Sequence, residues 1–218
     1  MVLLMIVIQV AEHYKQVIGT DISEPQLKLA KSHPCVRYLH TPLSLSDDDL
    51  TDLIGGENSV DLVTVAQAVH WFDLPRFYSV INRVLQPNGV FAVWGYNDFD
   101  ITPEIDATLK RFHDTTLPYW NKDIKYLFDG YQTLPFPFES VGLGSEGGPL
   151  KLDIPKELLF EGVLGMLRSW SAVVTAKEKG VNLLSENVVL ELENVWGGSK
   201  LVRRVVYKGF MLAGKPRS

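Results

Sequence analysis

The chain has 218 residues, 46% of them hydrophobic, which suits one domain with a sizeable core. Its net charge of −5, with no basic cluster, argues against nucleic acid or an anionic membrane as the main partner. Cys35 is the single cysteine, which excludes an intrachain disulfide framework and fits a reducing, cytoplasmic setting.

The apolar run Val2–Ile8 is far shorter than the roughly 20 residues a bilayer span needs. It also lacks the basic start and cleavage site of a signal peptide, so it reads as a buried core element. Val17–Asp21 reads as a strand ending in an acid. Ser23 and Gln26 then form a capping box with Pro25 in the first turn, Leu27 and Ala30 face inward, and Pro34 stops the helix. Val36–His40 is a short strand. Ser46 caps a helix whose first turn carries Asp47, Asp48 and Asp49, a solvated helix start rather than a metal site, and Gly55 ends it.

Val60–Ala66 is nearly continuous in aliphatic residues, as buried parallel strands are. A helix follows over Pro75–Leu85 with Phe77, Ile81, Val84 and Leu85 on one face, then a Pro87-Asn88-Gly89 turn and a strand over Val90–Trp94. The βαβαβαβ order predicts an α/β fold, a doubly wound, mostly parallel sheet with helices on both faces. Past Gly95 the composition shifts. Thr102 caps a helix lined by Ile105, Leu109 and Phe112, and an aromatic, proline-broken stretch runs from Tyr119 to Phe138. A helix near Leu158–Trp170, another capped by Ser185 and ending at Gly197-Gly198, and a strand over Leu201–Leu212 complete the chain.

An acid at the end of a strand can accept hydrogen bonds from both hydroxyls of a ribose, as in doubly wound nucleoside-binding domains. Ser23 already caps the helix after Asp21, which favours the ligand role for the acid. The literal G-x-G-x-x-G match at Gly142–Gly147 fails in context, with prolines on both sides and no helix beginning there. His13, His33 and His40 lack partners at metal spacing, His113-Asp114 reads as helix surface, and no metal site is expected.

Three segments in order carry a resemblance: Val17–Asp21, then Val60–Ala66 followed by Gln67-Ala68-Val69-His70-Trp71-Phe72-Asp73, then Arg83-Val84-Leu85-Gln86-Pro87-Asn88-Gly89-Val90. Together they resemble the class I S-adenosylmethionine-dependent methyltransferases, the last being similar to the family's L-K-P-G-G turn. More narrowly the chain resembles the plant small-molecule branch related to embryo-abundant proteins and trans-aconitate methyltransferases, over residues 11 to 216. Arg168-Ser169-Trp170-Ser171 and Trp196-Gly197-Gly198 look like that branch too.

The resemblance implies one Rossmann-like domain over 1–218, with a core at 11–100 and 186–216 and an α-helical insertion at about 101–185 serving the acceptor. It implies S-adenosyl-L-methionine as cofactor and a small-molecule carboxylate or hydroxyl acceptor. Asp21 would bind the ribose and Ile22 would pack on adenine. Thr41, Pro42 and Leu43 would flank the adenine amino group without the acid often found there. Ala66, Gln67 and Ala68 would line the methionine end. His70 would be a base or a structural hydrogen-bonder, and Trp71 an acceptor-pocket wall or a partly buried aromatic.

The family's sheet order is 3-2-1-4-5-7-6 with the last strand antiparallel. Its first strand and Gly-rich turn have no counterpart in front of Val17. Either Val2–Ile8 is that strand, too close to Val17 for a parallel crossover of a dozen residues, or Leu3–Gln16 is the helix that follows it. The second reading is favoured, and makes the chain an N-terminally truncated product with a gap in its sheet. A catalytically inactive isoform is therefore an alternative function. A nicotinamide-dependent oxidoreductase is a further alternative, without the expected Tyr–Lys pair.

Overall fold

The computed structural model describes residues 2–143 and 148–217, so residues 144–147 of the literal G-x-G-x-x-G match lie outside the described residues. The elements are α1 (Val2–Ala11), β1 (Val17–Asp21), α2 (Glu24–Lys28), β2 (Val36–His40), α3 (Asp47–Ile54), β3 (Val60–Ala66), α4 (Leu74–Val84), β4 (Leu85–Asp100), α5 (Pro103–Thr116), α6 (Lys125–Phe128), β5 (Glu139–Ser140), β6 (Leu150–Leu158), α7 (Phe160–Ser169), α8 (Ser171–Glu178), α9 (Glu186–Trp196) and β7 (Arg203–Lys215). Short 3₁₀ turns cover Val69–Trp71, Leu117–Tyr119 and Lys122–Ile124.

β1 and β2 form a two-stranded parallel sheet with Val17 opposite Val36 and Asp21 opposite His40. The second sheet runs β3-β4-β7-β5, with β6 also paired to β7, and β5 and β6 are both antiparallel to β7. The resemblance implies one continuous sheet, and the described strands form two. Among the described residues β1 is paired to β2 alone, and none of them forms a strand where the resemblance puts the first one. The N-terminal run is a helix and not a strand, and it stops at Ala11 rather than Gln16.

The chain divides into two compact units. The first comprises Met1–Val93, Pro137–Val141 and Ala213–Ser218, and the second Trp94–Phe136 and Gly142–Leu212. In the first, α4 buries Tyr78, Val80, Ile81 and Val84. Phe77, on the face expected to be apolar, is only half-buried, whereas Tyr78 and Val80, outside that expectation, are buried. Tyr78 and Phe91 meet Phe138 with ring centroids 5.4 and 5.0 Å apart, a range in which aromatic pairs add to simple burial. In the second, Ile105, Leu109 and Phe112 of α5 join Phe160, Val163, Leu164 and Leu167 of α7, Trp196 of α9 and Val205 of β7. Each such side chain contributes about 1.5–3 kcal/mol on burial.

Several sequence expectations are corrected. α2 ends at Lys28, well before Pro34, because it is a short helix with no buried residue to extend it. Pro87-Asn88-Gly89 is extended within β4 rather than a turn, since Gly89 lets the Val60 carbonyl come close. β4 also continues past Trp94 to Asp100. β6 was missed: its Leu150, Leu152 and Ile154 alternate with charged residues, but Pro155 reads as a breaker, although an edge strand tolerates proline. α8 was missed as well, being short and buried only through Ala172 and Ala176. Ser185 stands at the N-cap of α9 but makes no side-chain capping bond. His113 is not mere helix surface, for its ring meets Phe128 at 5.3 Å and Trp170 at 5.9 Å.

Candidate functional site

The site residues expected from sequence all lie in the first unit. Asp21 ends β1 half-buried, and its Oδ1 accepts the Ser23 N–H at 2.8 Å. Ser23 in turn accepts the Gln26 N–H at 3.4 Å. The acid is thus more engaged locally than the sequence implied, since it closes an Asx-type turn beside the cap. That bond uses one oxygen and fixes the carboxylate's direction. No other hydrogen bond engages it among the described residues, which leaves Oδ2 to accept from a ligand.

The parallel register sets Asp21 opposite His40, and the Thr41 N–H donates to the Asp21 carbonyl at 3.0 Å. His40 Nε2 lies 3.0 Å from the Ile22 carbonyl, an arrangement in which the imidazole donates. Ile22 is thereby held as a residue 59% exposed. Thr41 and Pro42 are half-buried, and Leu43, at the tip of a turn closed by Leu45 N–H to Pro42 C=O at 3.0 Å, is 80% exposed. Asp21, Ile22, Thr41, Pro42 and Leu43 therefore come together at one end of the β1–β2 pair. Large apolar side chains held in water beside a carboxylate suit a flat, partly polar ring with a sugar attached.

β3 ends in buried Ala66. Gln67 follows with φ +56, a left-handed conformation that costs a non-glycine residue on the order of 1 kcal/mol. Such strain at a strand end concentrates at binding sites. Half-buried Ala68 leads into the 3₁₀ turn that carries His70 and Trp71. His70 is 6% exposed and its ring centroid lies 5.2 Å from that of Trp71, which is 52% exposed.

Two features escaped the sequence reading. Asp73 caps α4 by accepting the Arg76 N–H at 3.2 Å. Arg76 then reaches back to the β2–α3 connection, donating to the Leu45 carbonyl at 2.8 Å and to Asp47 Oδ1 at 2.6 Å. The D-L-P-R spacing carries the cap, but nothing in it shows the long-range reach. Among the described residues no group of three or more His, Cys, Asp or Glu side chains could hold a metal. No helix among them is long and apolar enough to cross a membrane.

An acid at the end of the parallel strand β1 and a left-handed residue just after β3 stand at the strand ends where Rossmann-like sheets hold nucleotide-type ligands. A family model for a methyltransferase domain matches residues 5–93, which hold every site residue above. A Dictyostelium discoideum protein bearing a methyltransferase name is 32% identical over 203 residues, 89% of this chain and 72% of that protein. A Saccharomyces cerevisiae protein named as an S-adenosylmethionine-dependent methyltransferase is 30% identical over 130 residues, 57% of this chain and 43% of its own. The solved structure of a protein from Anaeromyxobacter dehalogenans named as a type II methyltransferase covers 94% of this chain and 82% of its own, at 32% identity and a TM-score of 0.74. The chain belongs to the class I S-adenosylmethionine-dependent methyltransferases.

Proposed function

We propose that this chain transfers a methyl group from S-adenosyl-L-methionine to the carboxylate or hydroxyl of a small molecule, as the plant small-molecule branch it resembles would. The observation that carries the reading is Asp21, anchored through one oxygen beside an exposed Ile22. Asp21 accepts hydrogen bonds from the ribose hydroxyls and Ile22 covers one face of the adenine. The Thr41–Leu43 segment has no acidic side chain, so its part in holding the adenine is shape and backbone. Ala66, Gln67 and Ala68 hold the amino-acid end. When bound, the cofactor supplies an electrophilic methyl on sulfur, whose in-line displacement depends mainly on alignment. A carboxylate acceptor needs no base. A hydroxyl acceptor loses its proton to His70, with Trp71 walling the acceptor side.

A second reading is favoured by one observation: β1 is paired only to β2, with no glycine-rich turn leading into it among the described residues. On it, this chain folds but does not hold the cofactor and has no catalytic activity. Calorimetric titration with S-adenosylhomocysteine separates the two. One-to-one micromolar binding, weakened at least about 100-fold in Asp21→Ala by loss of the hydrogen bonds its carboxylate accepts, supports the first. A folded wild-type chain that takes up none supports the second. Family membership gives no support to a nicotinamide-dependent activity.

A further inference from the structure

We propose that Arg76 is a positioning residue of this site: it clamps the Pro42–Leu45 turn and so sets affinity for the adenine end of the cofactor. This rests on the reading of Asp21 and Ile22 given above. The turn is held at both ends. Thr41 is tied to the Asp21 carbonyl at 3.0 Å, and Leu45 is tied through its carbonyl to Arg76 Nη2 at 2.8 Å. Arg76 is itself fixed twice more, by Nε to Asp47 Oδ1 at 2.6 Å and by its backbone N–H to Asp73 Oδ1 at 3.2 Å. The guanidinium thus joins the start of α3, the turn and the start of α4 in one planar fork.

Between the two anchors stands Leu43, 80% exposed, in a segment with no acidic side chain to grip an adenine amino group. Recognition there depends on where the backbone is held. The Arg76 and Asp47 side chains are 47% and 35% exposed, so their ion pair adds little to global stability. Its consequence is local order. Lysine can satisfy Asp47 or the Leu45 carbonyl but does not reproduce the fork.

The test is calorimetry of wild type, Arg76→Lys and Arg76→Ala with S-adenosylhomocysteine and with adenosine, alongside amide hydrogen exchange. Expected for Arg76→Ala is a Kd raised about tenfold for both ligands, the effect of losing one charge-assisted hydrogen bond, with one-to-one stoichiometry retained. Arg76→Lys falls between it and wild type. Exchange at the Leu45 amide rises in both variants without ligand, a change that a ligand contact made elsewhere would not produce. A variant that merely unfolded would lose stoichiometry instead of affinity, and Arg76→Lys, which keeps the charge, guards against that outcome. If wild type binds and both variants match it in Kd and exchange, Arg76 is only a surface ion pair and the proposal falls alone. If wild type binds neither ligand, the Asp21 reading falls and takes this one with it.

Discussion

Gly89 stands where the resemblance places the last glycine of a proline-glycine turn, yet its backbone is extended and its φ lies outside the left-handed range. What requires glycine there is space. A Cβ would lie 2.8 Å from the Val60 carbonyl oxygen, 3.0 Å from the Gln86 carbonyl oxygen and 3.0 Å from Leu85 Cδ2. The two oxygens are backbone and cannot rotate away, and Leu85 is 1% exposed. Gly89→Ala therefore has to move the start of β3 away from β4. Overpacking of this kind costs about 1–3 kcal/mol, and the reduced freedom of the unfolded chain returns about 0.4–1 kcal/mol. The expected net loss is about 1–2 kcal/mol, a fall of about 2–8 °C in thermal midpoint for a chain of this size. The matched control is Gly165→Ala in α7, where a Cβ meets no atom within 4 Å and no left-handed φ is involved. Replacing glycine inside a helix there raises stability by about 0.5–1 kcal/mol. Thermal and urea unfolding of the two variants should shift in opposite directions. A Gly89→Ala midpoint at or above wild type would refute the close-approach argument and return Gly89 to an ordinary strand position.

Further outcomes follow from other contacts. Trp196 is 1% exposed and its indole N–H donates to the Leu201 carbonyl at 2.8 Å, so Trp196→Phe should cost about 1–2 kcal/mol in urea denaturation through the lost bond and the space left by the smaller ring. Burial pushes the Tyr207 phenol up from 10.0 to about 12. The folded state then keeps a proton that the unfolded state gives up, so stability falls as pH rises through that window, and Tyr207→Phe should flatten the alkaline part of the unfolding curve. Arg111 and Glu191 pair at 2.9 Å with side chains 63% and 56% exposed, and Arg111→Ala should change stability by about 0.5 kcal/mol or less.

Local chemistry was readable from the chain. Ser23, Ser46 and Thr102 each accept the backbone N–H three residues on, as their capping patterns predict. The aliphatic run of β3 and the acid that ends β1 were equally plain, because strand period and cap chemistry act over a few residues. What stayed hidden depends on distant partners. Pro155 hid β6 because only the fold reveals a strand at an edge. Gln67 carries no mark of its left-handed backbone, which the surroundings impose. The holds of His40 on Ile22 and of Arg76 on Leu45 join segments whose proximity arises from the fold. The place of Asp21 was legible, but its share in the Ser23 turn was not.

Among the described residues β7 is the last strand, and it lies inside its sheet, flanked by β4 on one side and by β5 and β6 on the other. Leu150 waits for Met211, and Glu139 for Lys215. During synthesis β4, β5 and β6 therefore emerge before the strand that joins them, and closing such long loops slows folding. β1 and β2, linked only through the short α2, can pair much earlier. The nascent chain passes through a stage with β1 and β2 paired and open strand edges elsewhere, when it is most exposed to proteases and to pairing with its neighbours. Loss of residues 207–215 would remove the centre of the sheet and not its fringe.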